Sequence, residues 1–396
     1  MGPLEDVRVL ELGQLIAGPF CGQYLADFGA DVVKIEPPGR GDPMRQWGST
    51  DHQGNTVWWP VIARNKKSLT LDLRTDEGQD IVRRLAAEVD IVVENFRPGT
   101  MERWGLGWEA LSAINPRLIM VRITGFGQDG PYASRAGYAS VCEAMGGMRY
   151  IAGYPDRQPV RMGISIGDTL AGMHGAMGAM MALHERERSG RGQMVDSAIY
   201  ESVMTVMESL VPEYEVAGRI RGRSGSRLDG IAPSNAYPCA DGRDVIIGAN
   251  QDTVFGRLCE VMGQPGLADD PRYIDHQSRG RHQDELDATI ADWTQAHDAD
   301  VVVELLGKAG VPAGHVYRAP EMLADPHIQA RESIIRIDDP AIGEMPMQNT
   351  FPRLSRSPGG VQHTGPKLGQ HTHEVLQDWA GMDKTAIDGL TERGVI

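Results

Sequence analysis

Between Val7 and Ile123 the chain alternates short apolar runs with helix-forming stretches, and few architectures accept that order. Val7 to Leu12, Asp31 to Ile35, Ser68 to Leu73, Asp90 to Val93 and Leu118 to Ile123 read as strands, with helices at about Pro19 to Phe28, Asp76 to Glu88 and Trp108 to Ile114. Strands separated by helices predict an α/β fold with a mostly parallel, doubly wound sheet, because each crossover helix covers a sheet face. Ligands collect beyond the carboxyl ends of such strands, so the loops there are where chemistry is sought.

The first of these loops, Gly13 to Pro19, lacks the G-x-G-x-x-G pattern because Leu15 holds the second glycine position, which disfavours a nicotinamide or flavin cofactor. Its Ala17-Gly18-Pro19 leaves backbone amides at a helix start, which suits either an anion contact or a plain turn. A long irregular segment, 37–57, carries Arg45 and Trp47 and has the length of a binding loop. Arg64-Asn65-Lys66-Lys67 and Asn95-Phe96-Arg97, with Arg103 close behind, are basic islands that read as solvated clusters or as phosphate contacts. Thr124 to Pro131 is a turn-rich loop leading into Arg135-Ala136-Gly137-Tyr138.

The stretch Gly163 to Gln193 predicts one long helix, from Thr169 to Arg188, with Asp168 as its N-cap and Ser189-Gly190 as its stop. Ala171, Gly175, Gly178 or Ala179, and Ala182 recur at spacings of three and four, a flat face that lets another backbone come close. Two readings of Asp168 are open: a cap alone, or a carboxylate kept ionised by the helix end and able to act as a covalent nucleophile. Gly163-Ile164-Ser165-Ile166-Gly167 has the letters of a nucleophile elbow, but the helix does not start directly after the serine. His371 and His373 lack a third ligand at metal spacing and read as exposed helix-start residues, while His174 and His184 read as packed or solvated, so no metal site is expected.

Lys and Arg number 39 against 54 Asp and Glu, a net charge of −15 that argues against a nucleic-acid surface while leaving room for a local basic pocket. Cys21, Cys142, Cys239 and Cys259 are widely spaced and form no pair, consistent with a reducing cytoplasm. Neither a leader, a lipid anchor nor an 18-residue apolar run is evident, so no membrane association is expected.

Met194 to Ala217 reads as further helix, and Arg219 to Arg227, rich in Arg, Gly and Ser, as a linker or pocket rim. Short strands at Ala236 to Pro238 and Asp244 to Gly248, with helices near Thr253 to Met262 and Gln283 to Ala296, form a smaller α+β module. The expected division is residues 1–222, with 326–396 returning to it, as a large domain and 223–325 as a small one. Helices at about Thr372 to Trp379 and Lys384 to Arg393 close the chain.

Taken in order, Val9-Leu10-Glu11-Leu12 through Ile16-Ala17-Gly18-Pro19, Leu25 to Glu36, Asn65-Lys66-Lys67-Ser68, Val93 to Gly99, Gly167-Asp168, Ser189 to Gln193 and Leu368 to Thr372 resemble the class III CoA-transferases, the formyl-CoA and carnitine CoA-transferase family. The resemblance spans essentially the whole chain. It implies an open Rossmann-like domain built from both chain ends, a small domain between them, and a homodimer of interlocked rings. It further implies coenzyme A as co-substrate, acyl-CoA and a carboxylic acid as partners, and Asp168 as the catalytic residue. In the implied relay Asp168 attacks the donor acyl-CoA, the released thiolate converts the mixed anhydride to an aspartyl-CoA thioester, and the acceptor acid reverses the steps.

The CoA contacts implied by the resemblance are Ile16, Ala17, Leu71, Asp72, Leu73, Arg74, Asn95, Phe96, Arg97, Arg103, Ala136, Gly137 and Tyr138. Ile16 stands where formyl-CoA transferase has a substrate-contacting Gln, Pro37 stands at its adenine-side Arg, and its polyglycine loop is missing, which disfavours formate and oxalate. The racemase branch of the family pairs its Asp with a His where this chain has Tyr138, and a phenol, with an ordinary pKa of about 10, shuttles an α-proton poorly. The pattern looks closest to transferases of succinyl-CoA and other dicarboxylic acids, with Arg161, Arg227 and Arg45 as candidates for a distal carboxylate. A 2-methylacyl-CoA racemase and a non-catalytic CoA-binding protein are the alternative readings.

Overall fold

The computed structural model describes residues 2–396. Contacts gather the described residues into two compact units, one of residues 2–149, 161–210 and 329–396, the other of 150–160 and 211–328.

The first unit is built on a six-stranded sheet of β1 (Arg8–Glu11), β2 (Asp31–Glu36), β3 (Lys66–Thr70), β4 (Ile91–Glu94), β5 (Ile119–Thr124) and β6 (Met194–Ala198). All pairings are parallel and the spatial order is β3-β2-β1-β4-β5-β6. This is the doubly wound order, with its reversal between β1 and β4, where two strands diverge into loops on opposite faces and leave a crevice. The central strands carry almost no exposed residue, as a sheet covered on both faces requires; every residue of β4 and β5 is buried.

Alternate residues feed two cores. Leu10, Val33, Val92 and Met120 point to one face, where Val375, Trp379 and Ile387 of the two C-terminal helices (Thr372–Asp378 and Lys384–Glu392) pack. Val9, Val32, Val93 and Val121 point to the other, covered by the helix Ala17–Asp27 and the long helix Ile166–Ser189. The Asp76–Ala86 helix follows the sequence rules closely: Thr75 accepts the Gly78 amide, Asp76 and Glu77 open it, Arg83 and Arg84 end it, and Ile81, Val82 and Leu85 are buried.

The sixth strand corrects the expectation of helix from Met194. Met194 to Ala198 pairs along β5 from Met120 to Thr124, and the helix starts only at Ile199 and ends at Met204. Sheet pairing overrides the local helix signal there. Residues 334–348 add a hairpin, Ile334–Asp339 with Gly343–Gln348.

The second unit holds a three-stranded antiparallel sheet, Ser234–Pro238, Asp244–Gly248 and Ala313–His315. Helices Asp252–Val261, Gln283–Thr294 and Ala299–Lys308 bury Phe255, Leu258, Leu286, Ile290 and Val302 with Tyr237. Its arginine-rich segment is engaged within the unit: Arg219 pairs with Asp229, Arg221 with Glu213 and Arg227 with Asp284, and Arg223 donates to the carbonyls of Tyr150 and Tyr154.

Candidate active site

The β1–α loop, the stretch that would greet a ligand at the sheet's reversal, is fixed by buried charges. Glu11, Glu36 and Asp42 face Lys34, Lys66 and Arg45, three carboxylates against three cations. Lys34 Nζ lies 3.0 Å from Glu11 and 2.8 Å from Asp42, and Lys66 lies 2.8 Å from Glu11. Burial disfavours the Lys34 ammonium, but Asp42, Glu11 and Glu36 outweigh it and raise its pKa. Asp42 in turn accepts the Leu15 amide, and Asn95 grips Gln14 from both sides, accepting its N–H and donating to its carbonyl at 2.8 Å each. The island at Arg64 to Lys67 is therefore neither surface cluster nor phosphate site at Lys66, which is fully buried, or at Arg64, which is bound to Asp27.

Beside this loop opens a cavity of about 390 Å³, lined from the ends of three strands and the starts of two helices. Leu15, Ile16 and Ala17 come from the β1 loop, Asn95 and Arg97 from the β4 loop, Thr124 and Gly125 from β5. Ala136, Gly137 and Tyr138 form the approach to the short helix Ala139–Met145, and Arg161, Ser165 and Asp168 belong to the entry of the long helix. Gly125 and Gly137 are in backbone contact, since a Cβ on Gly125 would lie 3.0 Å from the Gly137 Cα.

Of the residues expected at the site, Ile16, Ala17, Asn95, Arg97, Ala136, Gly137, Tyr138 and Asp168 share this cavity. Leu71, Asp72, Leu73, Arg74, Phe96 and Arg103 do not line it. Leu71 is buried in the sheet core, Arg74 closes on its own neighbour Asp72, Phe96 packs edge-on against Trp104, and Arg103 is exposed beside Thr100. Of the three arginines considered for a carboxylate, Arg161 lines the cavity. Arg45 is committed to Glu36 at 2.7 Å and stacked over Trp59, and Arg227 is paired with Asp284 in the second unit.

Asp168 departs from expectation in two linked ways. The helix begins at Ile166 with Ser165 at its N-cap position, so Asp168 is the third helical residue and not the cap. Its carboxyl pKa is raised to about 6 from 3.8, chiefly by burial and then by the charge of Glu143, with Arg161 opposing. Among the described residues no hydrogen-bond donor reaches that carboxylate, so desolvation outweighs the helix dipole that was expected to keep it ionised. Such a group is half-desolvated and correspondingly basic, the state a carboxylate nucleophile uses.

Glu143 escaped the sequence reading. It lies in Ala139-Ser140-Val141-Cys142-Glu143-Ala144-Met145, and an acid set among small and apolar residues was the available signal. The neighbouring Cys142 thiol is pushed up to about 11 by burial and by Asp168 and Glu143, which leaves it inert.

A second cavity of about 560 Å³, between Trp59, the 338–342 turn and His363 to His371, shares no residue with the first. His371 is not an exposed helix-start residue: it is half-buried, and its Nδ1 accepts the Ser68 amide at 3.1 Å. Among the described residues no cluster of His, Cys, Asp or Glu is suited to a metal, and no helix is long and apolar enough to cross a membrane.

Comparison with known proteins places this geometry. The family described as CoA-transferase family III matches residues 4–372. The succinyl-CoA–D-citramalate CoA-transferase of Chloroflexus aurantiacus is 59% identical over 394 residues, spanning 100% of this chain and 98% of that protein. The beta subunit of succinyl-CoA–L-malate CoA-transferase from the same organism is 41% identical, over 100% of this chain and 98% of its own. The crystal structure of a CAIB/BAIF family protein from Brucella suis superposes with a TM-score of 0.84 at 36% identity, covering 96% of this chain and 99% of that one.

Proposed function

The chain belongs to CoA-transferase family III and is a CoA-transferase, and from that premise we propose that succinyl-CoA is its donor, a dicarboxylic acid its acceptor and Asp168 its nucleophile. The observation that carries this reading is the single cavity holding a half-buried Asp168 with a raised pKa together with Arg161 and Arg97. D-citramalate, the acceptor in the name of the relative 59% identical, is the acid we put first.

The chemistry follows from the groups present. A carboxylate oxygen of Asp168 attacks the thioester carbonyl, the C–S bond breaks, and CoA leaves as the thiolate, giving an aspartyl mixed anhydride. The thiolate then attacks the aspartyl carbonyl, and succinate leaves. The acceptor carboxylate repeats both steps in reverse order, so no proton is gained or lost over the cycle. Arg161, hydrogen-bonded to Ser165 Oγ at 3.1 Å, offers its guanidinium to the distal carboxylate of either acid. The CoA chain would leave the cavity along the carboxyl edge of the sheet, past Asn95 to Arg97 and Arg103 toward Leu71 to Arg74. The long helix supports a second copy of the chain: Met173, Met177, Met180 and Met181 are 40% to 63% exposed on the side away from the sheet, an apolar stripe suited to a homodimer interface.

The test is trapping. Incubation with succinyl-CoA followed by hydroxylamine or borohydride should modify Asp168, read by peptide mass, and D-citramalate should discharge the intermediate. An active enzyme with unmodified Asp168 overturns the assignment. Exchange of α-hydrogen in deuterated water without an acid acceptor would instead reveal the racemase chemistry.

A further inference from the structure

The first amides of a helix have no partner within it, and at the long helix the residue expected to cap them, Asp168, does not. Ser165 occupies the cap position without a side-chain bond to the helix. The acceptor comes from another element: Glu143 Oε1 takes the Gly167 N–H at 3.3 Å. Its other oxygen accepts from Arg149 Nε at 3.1 Å, and the side chain is 1% exposed. Gly167 is needed for this approach, because a Cβ there would lie 3.0 Å from Glu143 Cγ and 3.2 Å from Ile199 Cγ2. The helix end is thus capped from outside, by a buried carboxylate bonded to the residue just before Asp168.

We propose that Glu143 is a positioning residue for CoA transfer, capping the long helix in place of Asp168 and setting a fixed negative charge behind the nucleophile. The proposal rests on Asp168 as nucleophile. In the first step negative charge leaves the aspartate and ends on the CoA sulfur, while the anhydride that remains is neutral. A neighbouring anion that does not itself react favours that departure and makes the carboxylate more basic. The charged and titratable groups that face Asp168 or share its cavity are few: Glu143 and Cys142 from the short helix, Tyr138 just before it, Arg161 from the helix entry, and Arg97 from the β4 loop, with Arg149 partly neutralising Glu143 from behind. Burial of Asp168 and the charge of Glu143 both raise its pKa, and Arg161 lowers it.

Glu143→Gln separates the two roles, since the amide oxygen still accepts the Gly167 N–H while the charge is gone. The acid limb of kcat/KM for succinyl-CoA should move down by about half a pH unit or more, and the rate of aspartyl-CoA formation at pH 8 should fall about tenfold. Arg149→Gln should move the same limb upward, because it unmasks Glu143. Melting temperatures near that of the wild type would confirm that both variants fold. A purely structural role gives no opposed movement, so limbs unchanged in both variants, with Asp168 still labelled by succinyl-CoA, overturn the proposal alone. Absence of label on Asp168 in the active wild type overturns it together with the nucleophile assignment.

Discussion

Asp42 receives the backbone N–H of Leu15 on both carboxylate oxygens, each at 3.2 Å, and Leu15 sits at φ +65°, a left-handed conformation unusual for a branched side chain. Such a residue costs about 1–3 kcal/mol and persists where its surroundings over-determine it. Here the determinant is the set of three buried carboxylates held by buried Lys34 and Lys66 and half-buried Arg45, and the beneficiary is the cavity wall formed by Leu15 to Ala17. Asp42→Asn leaves one buried cation uncompensated, so we expect a loss of about 3 kcal/mol in denaturant unfolding and a raised KM for acyl-CoA. Leu15→Gly should restore part of the stability in that background, because glycine holds the same φ without strain.

Replacing Asp168 should stabilise the protein. The Asp168 carboxyl is raised to about 6 from 3.8, so the folded state holds its proton more tightly than the unfolded chain. The resulting destabilisation is absent below about pH 4, grows as pH rises, and is complete above about pH 6. A shift of about two units corresponds to at most about 3 kcal/mol, and roughly half that after solvent screening. Asp168→Asn should therefore abolish transfer and melt higher than wild type at pH 8, with the gap closing toward pH 4. A variant that melts no higher at pH 8 would show that the carboxylate is not held under desolvation.

Arg161 should decide between dicarboxylic and monocarboxylic acids. A hydrogen bond to a charged group contributes about 1.5–3 kcal/mol, equivalent to roughly ten- to a hundredfold in KM. Arg161→Gln is expected to raise the KM for a dicarboxylate acceptor by that factor while leaving a monocarboxylate of equal length little changed. Arg161→Lys should fall between, since an ammonium keeps the charge and loses the fork. Equal losses for both acids would remove Arg161 from the distal-carboxylate role.

The five strands from Arg8 to Thr124 were legible because strand periodicity and helix caps agreed locally, as at Thr75 and Asp76. The sixth was not, because Met194 to Ala198 is a strand only through its pairing with β5. The sequence singles out Asp168, which the fold brings to the cavity, but as the cap of its helix, which it is not. The sequence shows an acid beside a helix start, and only the fold shows that Glu143, 25 positions earlier, holds the helix amide. Lys66 reads from the sequence as part of a solvated cluster or of a phosphate contact, and for the same reason neither holds: its partner Glu11 is on another strand and its burial is a tertiary fact.

The small-residue face of the long helix was legible, and its tolerance can be measured. At Gly172 an added Cβ would lie 2.8 Å from the Ala17 carbonyl oxygen and 3.2 Å from both Cys21 N and Phe20 Cβ. Two terms oppose each other in Gly172→Ala. Alanine gains up to about 1 kcal/mol in a helix interior through its lower backbone entropy loss. Overpacking costs about 1–3 kcal/mol, and here the obstacle is the backbone of the Ala17–Asp27 helix, which cannot rotate away as a side chain tip can. The clash should win, giving a net loss of about 1 kcal/mol and, because Ala17 lines the cavity, a raised KM for acyl-CoA as that helix shifts. Gly256→Ala is the control: it lies inside the Asp252–Val261 helix with nothing within 4 Å of the new Cβ, so the entropy term acts alone and stability should rise by up to about 1 kcal/mol. Urea midpoints moving in opposite directions for the two variants would show that close backbone packing, and not helix propensity, requires the glycine at 172.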